Sequence, residues 1–162
     1  MGQYQLAENH AKVIPGSADM VNADKVAVVM GGVMTLKTTV ISTRDLAKAV
    51  TSGLPKQSLK RTVQRVFSEP KQVNELVYKL VPEATYKRRT RLTQGESEKT
   101  ERLARVIAAA EHVWEDDQAA RLWLTTSHPE LGDQTPVDCA MSELGAREVE
   151  ELLDKLFYGL PS

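Results

Sequence analysis

The sequence predicts an all-helical fold, and two observations carry that expectation. Apolar residues recur at the helical i, i+3, i+4, i+7 spacing, most clearly in Val73, Leu76, Val77 and Leu80. The periodic stretches are also bounded by helix-start and helix-stop chemistry. Ser42 with Asp45 and Thr93 with Glu96 form capping boxes; Pro55, Pro70 and Pro82 stand at first turns; Gly31, Gly53 and Gly159 stand at ends.

The elements follow in order. Residues 1–22 are polar and irregular, with Pro15-Gly16-Ser17 as a loop signal, and read as a flexible arm. Ala23 to Met30 reads as a short buried helix that Gly31 can end in the left-handed conformation. Gly31 followed by Lys37-Thr38 has part of the spacing of a phosphate-binding loop. Leu36 stands where the second glycine must let backbone amides curl around phosphate, which excludes a nucleotide site of that kind. The helix opened by Ser42 has Leu46, Ala49 and Val50 on one face and ends at Gly53. The next runs from about Lys56 to Phe67, with Leu59, Val63 and Val66 inward and Lys60, Arg61 and Arg65 outward. Another reaches Leu80, and Val81-Pro82 must break it, because the residue before proline avoids helical geometry.

Pro82 then opens a helix over PEATYKRRT. This helix–break–helix layout has the shape of a DNA-reading pair, with Thr85, Tyr86, Lys87, Arg88, Arg89 and Arg91 as the candidate contacts. Lysine and arginine reach phosphates or guanine edges, while Thr85 and Tyr86 can donate to phosphate oxygens. The helix capped by Thr93 continues to about Glu115 with Leu103, Val106, Ile107, Ala110, Val113 and Trp114 as its stripe, and Ala108 to Ala110 permit close helix approach. Glu115-Asp116-Asp117 caps a helix over Gln118 to Leu124, with Leu122 and Trp123 as core anchors. The last helix, from about Ala146 to Tyr158, has Val149, Leu152, Leu153 and Leu156 on its inner face.

Composition bounds the function. With 162 residues, 41% apolar and 27% charged, the chain suits one sizeable core or two small ones in a soluble protein. Aromatics at 5% argue against a large aromatic ligand pocket. The single Cys139 permits no internal disulfide and fits a reducing cytosol. No stretch approaches the ~18 apolar residues of a membrane span, and the N-terminus has no secretory signal, so the expected location is cytoplasmic. Charge is segregated: residues 54–91 carry ten Lys/Arg against three acids, and residues 111–162 carry three against twelve. A basic middle and an acidic end suggest two kinds of partner.

Nothing in the sequence points to catalysis, a cofactor or a metal. His10 lies in the arm, His112 on a helix flank beside Glu111 and Glu115, and His128 in a loop before Pro129. No HExxH spacing or Cys/His pair with metal-ligand spacing occurs. Glu143, Glu148, Glu150, Glu151 and Asp154 read as a solvated acidic face.

Over about residues 26–160 the chain resembles the bacterial Xre, MbcA and ParS antitoxins, the partners of RES-domain toxins. The shared elements are SGLPKQSL at 52–59, TYKRRTRL at 85–92, GESEKTERLARV at 95–106, and a C-terminal series. That series comprises Ala120, Trp123-Leu124, ELGDQTPVD at 130–138, Leu144-Gly145, Val149, Leu153, Leu156 and Tyr158-Gly159. Gly132-Asp133 replaces a commoner Gly-Gly, a substitution that asparagine-like left-handed tolerance allows. The resemblance implies an atypical helix-turn-helix region over 23–92, joined by a long helix to a small helical toxin-binding domain within 93–162. It also implies a non-catalytic antitoxin that blocks an NAD-consuming toxin and often represses its own operon. An acidic domain complements a pocket built for pyrophosphate. Phe157, Tyr158, Gly159, Leu160, Pro161 and Ser162 are therefore the expected toxin-blocking end. A homodimer on operator DNA is the expected assembly. The alternative is a stand-alone helix-turn-helix repressor whose acidic half only dimerises.

Overall fold

In a computed structural model, residues 21–159 are described; the rest of the expected arm and Leu160, Pro161 and Ser162 lie outside them, as does His10. The described residues form ten α-helices and one 3-10 turn, with no strand among them. The helices are α1 (Ala23–Val29), α2 (Gly32–Leu36), α3 (Thr43–Ser52), α4 (Lys56–Gln64), α5 (Pro70–Leu80), α6 (Glu83–Arg88), α7 (Gln94–Trp114), α8 (Asp117–Leu124), α9 (Pro136–Cys139) and α10 (Glu143–Tyr158). The 3-10 turn, Pro129–Leu131, lies between α8 and α9. None is long and apolar enough to cross a membrane.

The fold is built around α7. Leu103, Ala104, Val106, Ile107, Ala109 and Ala110 are fully excluded from solvent, and the alanines let α1, α3, α4, α8 and α10 all lie against this one helix. One core runs from Val21 to Leu153. Capping chemistry sets the helix starts. The Ser42 and Thr93 hydroxyls accept from the amides of Asp45 and Glu96, whose carboxylates reach back to the cap amides. Asp116, Thr135 and Ser142 cap α8, α9 and α10 in the same manner with one bond each. Gly31, Gly159 and the Gly132-Asp133 pair are left-handed, as their turns require.

Four expectations are corrected. The helix read over Lys56 to Phe67 stops at Gln64, because Arg65 and Val66 bond back three residues and tighten the chain into a turn. Arg65, read as outward, turns into the seam between α4 and α7, where Nη1 donates to Glu111 Oε1 at 3.2 Å. Leu122 is 69% exposed, leaving Trp123 and Leu124 as the anchors of α8. Leu156 is 47% exposed; on α10 the buried positions are Ala146, Val149, Glu150 and Leu153. The short helix α2, packed on α1 and α4, was not expected from the sequence.

Candidate functional site

The acidic end of the chain is held to α7 by arginines. Arg105 donates to Glu150 from Nε at 2.5 Å and to Glu101 from Nη1 at 3.0 Å, and it approaches Glu143 at 3.4 Å. Arg102 Nε donates to Glu143 Oε2 at 2.9 Å. Burial pushes the Glu101 carboxyl up despite its guanidinium partner, whereas the bond from Arg102 holds Glu143 low. Glu143 and Glu150 are thus structural members of a network, which corrects their reading as a solvated face. Glu111 and Asp138 are likewise paired, with Arg65 and Lys79. The outward acidity of the segment contracts to groups such as Glu130, Glu148 and Glu151, which line an open groove of about 490 Å³ with Leu152 and Lys155.

The joints of this segment are tight. His128 stacks on Trp123 with centroids 5.0 Å apart, and its Nε2 lies 2.9 Å from the Trp123 carbonyl. His128 and Gln134 bridge the ends of the turn between α8 and α9. The Cys139 thiol is buried and directed at Gln134 Oε1, and burial pushes it up. At the far end of α10, Phe157 lies against His112 at 4.9 Å and meets Tyr158 edge-on at 4.8 Å. The same His112 ring has Lys25 Nζ 3.3 Å from Nδ1, which ties the end of α10 to α1. Phe157 and Tyr158 are nonetheless 43% and 39% exposed, with Leu156 beside them and Leu144 open at the other end of the helix. Gly159 closes α10 in the left-handed conformation; Leu160, Pro161 and Ser162 lie outside the described residues.

The six basic-segment residues fall on α6 and the segment after it. The helix has only six residues and buries none of them. Tyr86 is a packing residue: its hydroxyl donates to the Lys56 carbonyl at 3.2 Å, Lys56 Nζ stands 5.1 Å from its ring centroid, and Tyr78 meets its edge. Burial pushes its phenol up. Lys87 pairs with Glu83 at 2.6 Å and Arg89 with Glu96 at 2.5 Å. Arg91 Nη1 donates to the Gly53 carbonyl at 3.0 Å. Arg88 is exposed and Thr85 half-buried.

A second basic surface, read in the sequence only as the outward face of a helix, lies on α4. α3 and α4 are joined by only Gly53-Leu54-Pro55, and both rest on α7. Gly53 has φ +88°, and a Cβ there would lie 2.5 Å from the Leu92 carbonyl oxygen, so only glycine fits without a shift. The joint is pinned by antiparallel pairing with 90–92: Leu92 N donates to Leu54 O at 2.8 Å and Lys56 N to Thr90 O at 3.2 Å. The Ser97 hydroxyl accepts from Leu54 N at 2.8 Å inside the core. With Leu59 and Val63 buried, α4 turns Gln57, Lys60 and Arg61 outward, with Gln64 half-buried on the same side. The signal lay in the i, i+3, i+4, i+7 spacing of those four polar residues.

Residues 109–159, about a third of the chain, match the family model of the Antitoxin Xre/MbcA/ParS C-terminal toxin-binding domain. The match covers the end of α7 and all of α8, α9 and α10, and it supports a toxin-binding antitoxin of a toxin–antitoxin system. No curated protein matches the chain.

Proposed function

We propose that this protein is the antitoxin of a RES-domain, NAD-consuming toxin and blocks its active site with the end of α10 and the residues beyond it. The observation that carries this reading is the exposure of Leu156, Phe157 and Tyr158 at the end of the matched segment, on the same helix as the groove-lining Glu148 and Glu151. An apolar tip supplies the buried anchor of an interface, and unpaired carboxylates complement a pocket that attracts pyrophosphate. Phe157 is half-committed to His112, so the inhibitory end comprises Tyr158 and Gly159 with Leu160, Pro161 and Ser162. The protein itself performs no catalysis in this reading and acts in the cytoplasm. Co-expression with the product of a neighbouring toxin gene tests it. The full chain restores growth and co-purifies with the toxin, and a chain lacking residues 158–162 does not restore growth. Full neutralisation by the shortened chain would overturn the blocking role of the end.

A second role, repression of its own operon as a homodimer, is favoured by the surface of α4. There the side chains of Gln57, Lys60 and Arg61 face outward with no hydrogen bond or ion pair among the described residues. A short joint that presents a polar helix face supports a helix-turn-helix reading of α3 and α4. In this reading α4 contacts base edges, and Arg88, with the free donors of Arg91, contacts phosphates. Tyr86 supports the joint from behind through its bond to the Lys56 carbonyl, while the Lys87 and Arg89 side chains are paired with Glu83 and Glu96. Gel shifts on the DNA upstream of the operon, with and without toxin, test the role; absence of any shift in both would remove it.

A further inference from the structure

We propose that the concavity between α2, α3 and the Gly53-Leu54-Pro55 joint is a contact for the phosphodiester backbone of double-stranded DNA. The inference rests on the DNA-binding role above and adds a site to it, formed by Lys37, Lys48 and Arg91 with the Thr38 and Thr39 hydroxyls.

The concavity has a volume of about 260 Å³ and opens to solvent. Three cationic side chains line it and one carboxylate, that of Asp45. Asp45 is held ionised: its Oδ2 accepts from the amides of Ile41 and Ser42 at 3.1 Å each, and the Ile41 bond, with the Lys48 charge nearby, holds its carboxyl low, so the concavity keeps a positive surplus of cations over this one anion. The side chains of Lys37 and Lys48 make no hydrogen bond or ion pair among the described residues, although the Lys48 charge lies near Asp45. Arg91 spends one nitrogen on the Gly53 carbonyl, which leaves most of its five donors uncommitted. Its position is fixed, because the Pro55–Arg91 bridge ties it to the joint that aims α4.

The rest of the lining suits a backbone phosphate better than a free nucleotide. No aromatic side chain lines the concavity to hold a base. Leu36, which takes the place of a phosphate-loop glycine, is 3% exposed and packed into the core, so no backbone cradle forms there. Lys37 instead takes the left-handed conformation at φ +60° as the C-cap of α2, which ends the helix just ahead of the Thr38 and Thr39 hydroxyls that also line the site. Cationic side chains and hydroxyls flanking a reading helix are the groups that fix register on a duplex without reading sequence.

The test compares the full chain with a Lys37→Gln, Lys48→Gln variant by fluorescence anisotropy on mixed-sequence duplexes of about 30 base pairs, from about 50 to 200 mM salt. Both substitutions are on exposed side chains, and a thermal melt matching the parent verifies the fold. The variant weakens binding equally on every duplex, and its slope of log K against log salt is shallower by about 0.9 per lost contact. An unchanged slope in the variant, with binding still lost in a Lys60→Ala, Arg61→Ala chain, would overturn the site and leave the DNA-binding role standing. No binding by the parent chain at the lowest salt would overturn both. Saturable, lysine-dependent binding of ATP with no effect on DNA would overturn the site in favour of a nucleotide pocket.

Discussion

A Cβ on Gly145 would lie 2.1 Å from the carbonyl oxygen of Cys139. The short helix α9 therefore reaches α10 through backbone, and the first turn of α10 must carry no side chain at that point. Gly145→Ala forces the two helices apart and costs about 1–3 kcal/mol, the range of overpacked cores. Gly95, in the first turn of α7, has nothing within 4 Å of its missing Cβ. Gly95→Ala is expected to raise stability by up to about 1 kcal/mol through the unfolded chain. Urea unfolding of the two variants separates close approach from helix propensity.

Arg105 is the cation that Glu101 and Glu150 share. Arg105→Met leaves both carboxylates without it in a region solvent reaches poorly. The cost is of the order of 2 kcal/mol at pH 7, below the roughly 3–5 kcal/mol of a fully buried pair because the guanidinium is partly exposed. Glu101 already sits above the ordinary carboxylate range through burial, and loss of the guanidinium raises it further. A carboxyl raised in the folded state contributes stability below its unfolded pKa and loses that contribution as pH rises through its folded pKa. The deficit of the variant therefore shrinks as pH falls from 7 toward the ordinary carboxylate range, which melting temperatures at stepped pH can read.

Trp123 and Leu122 are neighbours with opposite roles. Trp123 is buried and carries His128 on its ring, so Trp123→Ala removes both a core anchor and the stacking partner of the turn, at about 3–5 kcal/mol. Leu122→Ser, on the exposed face, changes stability by less than about 0.5 kcal/mol. A loss of toxin capture by Leu122→Ser at unchanged melting temperature would extend the toxin-binding surface onto α8.

For DNA, α4 and α6 make different expectations. Lys60→Ala with Arg61→Ala lowers discrimination between operator and mixed-sequence duplex by about tenfold or more, the scale of one lost base contact. Arg88→Ala weakens both duplexes alike. Equal loss of discrimination from Arg88→Ala would return the reading role to α6.

The sequence by itself determined most of the helix starts and several of the ends. The capping boxes at Ser42 and Thr93, the prolines that cap α4 and α6 and open α5, and the left-handed Gly31 and Gly159 all act within a few residues, so local chemistry is enough. It also determined the stripe of α7 from Leu103 to Ala110, because a helix buried over several turns repeats the pattern, although Trp114, read as part of that stripe, is 38% exposed at the helix end. The C-terminal series that carries the resemblance was legible for the same reason, as residue types at fixed spacing.

Only the tertiary structure decided which sides of the short elements face inward. In α8, Leu122, Trp123 and Leu124 are consecutive and apolar, and eight residues give too few turns for periodicity to choose among them. α10 has more apolar positions than its contact with α7 can cover, which leaves Leu156 outside. The charges behaved likewise: Arg65, Glu143 and Glu150 look solvated in the sequence, yet their partners Glu111, Arg102 and Arg105 lie dozens of residues away. The Gly53-Leu54-Pro55 joint reads locally as one helix stopping and another starting. That it is a rigid joint follows from its pairing with 90–92, a contact between segments whose separation along the chain no local spacing encodes.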